Sequence, residues 1–311
     1  MIDCDKKNNK KPFPNLPLMK LSAWHKCQGD TVEWYDALLS GHMNRVYVSK
    51  VFSFSDDYMF PIDADEVIYG GSGYAIHMEG TKEIYDKSKD KSLPDEIEHI
   101  YPDYSLYGIT DTAYGFLSRG CPRGCEFCHV LEMQGGISSK VANLSEFWNG
   151  QKNIVLLDPN ISACKQWKDL FQQLIDSKAY IDFSQGLDIR LMTEEKIQML
   201  SEMKVKSVHF AWDRYEDKDI IVPKLKNFKS ITGWHRSKII VYCLVGDRER
   251  VVTDEDLERI YTMREIGVDP YVMIYDKESL PASHELKKLQ RWVNSRPIWG
   301  KVKTFDEYNR L

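Results

Sequence analysis

The segment GFLSRGCPRGCEFCHV, residues 115–130, carries three cysteines as C-x-x-x-C-x-x-C: Cys121, Cys125 and Cys128. Three thiols from one short loop can converge on a soft metal centre, and cubane iron–sulfur clusters take cysteine sulfur. An electron-transfer cluster completes its coordination with four cysteines. This loop offers three, which leaves one iron open to a substrate or cofactor. Two plainer readings compete. A structural zinc site would need a fourth ligand, and His129 is at hand, but a residue adjacent to Cys128 struggles to reach the same ion. A four-cysteine cluster would need another thiol. Cys4 and Cys27 are remote in sequence, while Cys164, near an apolar helical stripe, and Cys243, inside a strand-like run, read as core residues. The spacing favours the cluster with an open iron.

The elements that must hold this loop can be read after residue 110. Short β-branched or aromatic runs alternate with amphipathic segments, the pattern of βα units that build a parallel sheet. Strands are expected at 114–119, 153–158, 180–184, 206–212, 238–244 and 270–275, most of them continuous apolar runs. Between them, Ala163, Trp167, Leu170, Phe171 and Leu174 share one helical face. Thr193 before Glu194 and Glu195, and Thr253 with Asp256, mark helix starts, and Gly267 suits a helix end. Such units make an open doubly wound sheet or a partial barrel, and in both the ligand lies at the carboxyl ends of the strands. Residues 1–105 read as a small Rossmann-like αβ unit. It has a helix from Asn15 to Lys26, short strands at 32–35, 45–52 and 66–69, a tight Gly70–Gly73 connection, and a charged linker at 84–105.

At 42% apolar and 29% charged residues, the 311-residue chain can bury a full core without disulfides. No apolar run approaches the ~20 residues of a membrane helix. The opening MIDCDKKNNKKPFP lacks the apolar stretch of a leader, so a cytoplasmic protein with free thiols and no membrane association is expected. A net charge of -5 and a pI near 5.9 argue against a dedicated nucleic-acid surface. One local exception, RWVNSRPIWGKVK at 291–303, interleaves basic and aromatic residues. The simpler expectation there is a last helix and tail that pack Trp292 and Trp299 onto the domain.

On these residues the chain resembles the radical S-adenosylmethionine (SAM) superfamily. The loop matches that superfamily's cysteine motif, with the aromatic Phe127 immediately before the last cysteine. The longer string SRGCPRGCEFC is similar to the branch that includes methylthiotransferases and proteins with a cobalamin-binding-type amino-terminal domain. The resemblance covers nearly the whole chain. It implies an α/β architecture: a partial (β/α)6 radical SAM barrel at 106–295, a small Rossmann-like domain at 1–105 and a tail at 296–311. It also implies a 4Fe-4S cluster on the three cysteines, whose open iron chelates SAM. Reductive cleavage would then give a 5′-deoxyadenosyl radical that abstracts hydrogen from a substrate.

By position, the resemblance puts the backbone beside Phe127 against the adenine. Asp158 or Asn160, in LDPN where many members have Gly-Gly-Glu, would receive the SAM amino group. SQGLDIR offers Gln185 and Arg190, the arginine for the carboxylate; Asp213, in FAWD, is a ribose candidate, and Val245 with Gly246 would lie near the adenine. Each of these has a plainer role as a turn, cap or ion-pair residue. The implied partners are a small-molecule substrate, such as a metabolite, nucleotide or base, and a reducing protein such as flavodoxin or ferredoxin. The alternatives are modification of a nucleic acid, or an iron–sulfur or zinc-binding regulator that is not an enzyme. Cobalamin is not expected: His77 and Gly80 have the spacing of Asp-x-His-x-x-Gly, but Ala75 replaces the aspartate.

Overall fold

The apolar runs fold as strands: Thr112–Gly115, Asn153–Leu156, Tyr180–Phe183, Lys204–Ala211, Ile239–Val245 and Asp269–Ile274. The computed structural model describes residues 1–8, 13–80 and 82–310; the lysines of the amino-terminal run at 10 and 11 lie outside them. The six strands form one parallel sheet in chain order, each paired with the next through registers such as Phe183↔Leu156, Phe210↔Val241 and Val241↔Pro270. The order never reverses, so the sheet has no switch point of the doubly wound kind.

Strand alternation sorts the side chains. Ile154, Phe183, Val208, Phe210, Val241 and Val272 point to one face and are buried. A register shift after Ile181 pairs Ile181 with Val205 but Asp182 with Ser207, so Lys206 is bulged out and Val208 stays on the core side. Helices Trp167–Ser177, Glu194–Glu202, Lys218–Thr232 and Asp254–Ile266 pack side by side in that order and contribute to the same core. Their starts follow the expected chemistry. The Thr193 hydroxyl accepts from the Lys196 amide, and Thr253 and Asp256 form a reciprocal capping box. The opposite sheet face carries Tyr114, Asp182, Ser207, His209, Tyr242 and Tyr271.

The expected strand 114–119 is divided. Its first part enters the main sheet, while Ser118–Arg119 pairs antiparallel with Ser139–Lys140 and leads into the cysteine loop. Residues 32–35, expected as a strand, form none. Among the described residues the backbone there exchanges bonds with Met1 (Met1 N to Glu33 O and Tyr35 N to Met1 O, both 2.9 Å), and the Trp34 indole donates to Leu106 O. Aromatic packing, with Trp34 edge-on to Tyr107 at 5.1 Å, accounts for the strand-like composition.

A second parallel sheet joins Ile2–Asp3, Met43–Ser49 and Ala64–Gly70. It runs into a tight connection at Gly71, where φ is +101° and a Cβ would fall 2.3 Å from the Lys50 carbonyl oxygen. The stretch read as a linker holds the short helix Asp95–Glu98, whose Glu98 pairs with Lys20 and with Arg119 at the edge of the cysteine loop. At the other end, Trp292 and Trp299 are 0% and 4% exposed, their rings 5.0 Å apart, and the Arg264 guanidinium lies 3.4 Å from the Trp299 ring centre. The basic–aromatic stretch is therefore tail packing, and these rings are not presented for stacking on bases. Among the described residues no helix is long and apolar enough to cross a membrane.

Candidate functional site

The cysteine loop is anchored from behind by Asp158, at the end of strand Asn153–Leu156 and 2% exposed. Its carboxylate accepts from the Leu117 amide (3.1 Å), the Ser118 amide and the Ser118 hydroxyl (2.7 Å). Gly120 then turns the chain with φ +89°, and a Cβ there would lie 2.2 Å from the Ile137 carbonyl oxygen, so only glycine passes. Burial pushes the Asp158 carboxyl up to about 6 against those hydrogen bonds, which favour the charged form. Asp158→Asn turns an amide N–H2 toward a main-chain N–H, and a loss of about 1–3 kcal/mol is expected. Because the folded chain holds the Asp158 proton more tightly than the unfolded chain, the wild type loses stability as pH rises from 3.8 through about 6. The gap between wild type and Asp158→Asn should narrow across that window in urea titrations, and parallel profiles would remove this assignment.

Between Cys121 and Cys128 the loop has no regular structure, tied by Cys121 N to Gly135 O (3.1 Å) and Cys128 N to Cys125 O (3.0 Å). The Asn160 side-chain amide donates to Cys121 Sγ at 3.4 Å. Burial raises the Cys125 thiol, with further contributions from Cys128, Asp213 and Cys121; burial also raises Cys128, with Cys121 and Asp213 adding to it. The three thiols thus lie within electrostatic reach of one another. Among the described residues no group of three His, Cys, Asp or Glu side chains is gathered tightly enough to hold a metal ion. In donor chemistry the loop fits an iron–sulfur cluster: three sulfurs, unpaired in any disulfide, on a segment with few internal constraints. His129 is engaged with Glu132 (2.8 Å) and lies 3.8 Å from Glu83.

In front of the loop is a half-open cleft of about 190 Å³, whose walls include Cys125, Phe127, Arg190, Ala211, Asp213 and Asp217. The loop after the first main-sheet strand here meets the ends of the third and fourth. Arg190 donates from Nε to Asp188 and from Nη1 to Asp217, both at 2.7 Å, and its Nη2 has no protein partner among the described residues. Asp188 also receives the Arg123 Nε at 2.7 Å, linking the cysteine loop to the third strand's end. Asp213 accepts from the Leu244 amide at 3.0 Å; burial raises its carboxyl, while that amide, Arg259 and Arg190 pull it back down. Beneath it, Arg259 is 4% exposed and donates to Trp212 O (2.8 Å), Asp213 O (2.6 Å) and Leu244 O (3.0 Å), and to Asp256.

Of the residues singled out by sequence, the cleft brings together Cys125, Phe127, Arg190 and Asp213. Asp158 and Asn160 are buried behind the loop rather than facing the cleft. Gln185 is exposed and off its lining, and Val245 is 1% exposed in the core, its carbonyl accepting from the Tyr275 amide. Asp188 and Arg259 were missed. Asp188 had a local signal, two residues before Arg190 in SQGLDIR; Arg259 had none beyond its place in an ordinary amphipathic helix.

No protein-family model matches the chain, and no curated protein does. Among solved structures, a crystal structure of Streptococcus suis SuiB aligns with a TM-score of 0.35 and 11% identity, covering 51% of this chain and 41% of that one. The chain therefore spans less than half the length of that protein, and at this TM-score the likeness carries no argument about either fold or activity.

Proposed function

We propose that this chain is a radical SAM enzyme, with Cys121, Cys125 and Cys128 as ligands of a 4Fe-4S cluster and the adjoining cleft as part of the SAM site. The observation that carries the reading is the meeting of Cys125 and Phe127 with Arg190 and Asp213, from two other strand ends, around one cavity. Sequential parallel pairing, with helices packed on one face, supports a partial (β/α)6 barrel at 106–295. Residues 1–105 are the Rossmann-like domain in this reading, and 296–311 the tail.

When bound, the cluster would supply one electron to cleave SAM to methionine and a 5′-deoxyadenosyl radical, which takes hydrogen from the substrate. The protein's own part is to bind and orient. Arg123, Arg190 and Arg214 with Asp213 and Asp217 make a mixed-charge lining suited to a zwitterion. The unengaged Nη2 of Arg190 can donate to a carboxylate, and Asp213 can accept from a hydroxyl or an amine. Phe127 offers an apolar face for a ring. Asp188 fixes two of the guanidiniums and offsets their charge. The protein then acts in the cytoplasm on a small molecule, takes electrons from a flavodoxin- or ferredoxin-like partner, and needs no cobalamin.

The test is anaerobic iron–sulfur reconstitution, reduction with dithionite, and assay for 5′-deoxyadenosine after SAM is added. Formation of that product by the wild type is expected. A chain that takes up no iron, or one whose cluster spectrum ignores SAM, would instead be a structural or regulatory metal protein.

A further inference from the structure

A parallel sheet is ordinarily covered on both faces. Here helices cover one, while on the other Tyr271 and Met273 remain 44% and 45% exposed. The chemistry of this second face is aromatic and hydrogen-bond accepting. Asp182 enters no ion pair among the described residues, and its side-chain hydrogen bond, from the Ser207 hydroxyl, is long at 3.5 Å. The His209 Nδ1 bonds the Phe183 carbonyl at 2.9 Å. A carbonyl only accepts, so Nδ1 carries the proton, and in that tautomer Nε2 is an acceptor.

Around these acceptors stand rings. His209 and Tyr242 stack with centroids 5.3 Å apart and planes 9° apart, and Tyr271 meets Tyr242 edge-on at 5.7 Å. The Asp182 charge reaches both flanks. Burial raises the Tyr114 and Tyr242 phenols most, and Asp182 adds to each. The face is continuous with the cleft, because Ala211, on the cleft wall, is the register partner of Tyr242.

An uncompensated carboxylate beside several aromatic rings attracts a cation twice, by Coulomb attraction and by the ring quadrupoles. It repels an anion by the same terms. We infer that this face binds a small planar molecule bearing a cationic or amino nitrogen, with the nitrogen on Asp182 and the ring against the His209–Tyr242 stack. The binding stands on this face alone; that the bound molecule is the enzyme's substrate rests on the radical SAM reading.

Benzamidine, benzoate and benzyl alcohol share a ring and differ in charge. Calorimetric titration of the full chain is expected to show benzamidine binding at least about fivefold more tightly than either of the others. Asp182→Asn should abolish that preference, whereas Glu255→Gln, an exposed carboxylate on the helix layer, should keep it. Tyr242→Leu, which removes the stacking ring, is the second variant, and benzamidine should weaken by about the same factor. Circular dichroism establishes that each variant is folded. Benzoate binding as tightly as benzamidine, or an undiminished preference in a folded Asp182→Asn chain, overturns the inference. Neither result involves a cluster or SAM, so failure here and failure of the 5′-deoxyadenosine assay are separate findings.

Discussion

Alanine at Cys121, Cys125 or Cys128 is expected to cut iron retained after anaerobic reconstitution by at least about tenfold, and 5′-deoxyadenosine formation with it. Each variant removes one of three sulfurs from a loop with few backbone ties among the described residues. All three side chains are partly exposed, so thermal stability should change by less than about 0.5 kcal/mol. The core cysteines should behave in the opposite way. Cys164 and Cys243 are 1% and 0% exposed, and alanine there should cost about 1–2 kcal/mol while leaving iron content unchanged. Iron analysis beside urea denaturation measures both halves of this contrast. Full iron retention in a folded Cys125→Ala chain would remove the trio from the site.

Arg259→Met is expected to lower stability by about 3–5 kcal/mol, the largest single-residue effect proposed for this chain. The methionine fills similar space but leaves the buried Trp212 and Leu244 carbonyls and the half-buried Asp213 carbonyl without their donor, and the Asp256 carboxylate without its cation. Urea denaturation reads the loss directly. In whatever fraction stays folded, the Asp213 end of the cleft loses its support, so SAM affinity should fall more than it does in an Asp256→Asn chain. A loss below about 1 kcal/mol would show that water replaces the guanidinium without penalty.

The strands after residue 110 were legible because each is a short apolar run flanked by turn or cap residues, a local signal. Residues 32–35 misled because valine and aromatic residues look the same in a strand and in a packed coil. At the site, the cysteine spacing is local and could be read. Val245 shares its parity with Val241 and Cys243, so alternation alone placed it on the core face, against the role implied by resemblance. The cross-links that shape the cleft could not be read. Asp188 meets Arg123 across 65 residues, and Arg259 reaches Trp212 across 47. Which charged residue finds which partner over such separations follows from how the strands line up, and nothing in the pairs themselves announces it.

Because every main-sheet strand pairs with its neighbour in the chain, the sheet can grow by simple addition as the polypeptide emerges, each new edge ready before the next strand arrives. The cleft's walls come from residues between Arg123 and Asp217, so they can be in place while the last two strands are still unmade. Arg259 arrives later, on the helix between those last two strands, and adds its contacts across the ends of strands Lys204–Ala211 and Ile239–Val245, which the ladder and the Asp213–Leu244 bond already join. Assembly of the site and the locking of it are thus separate events, with the lock supplied after the walls.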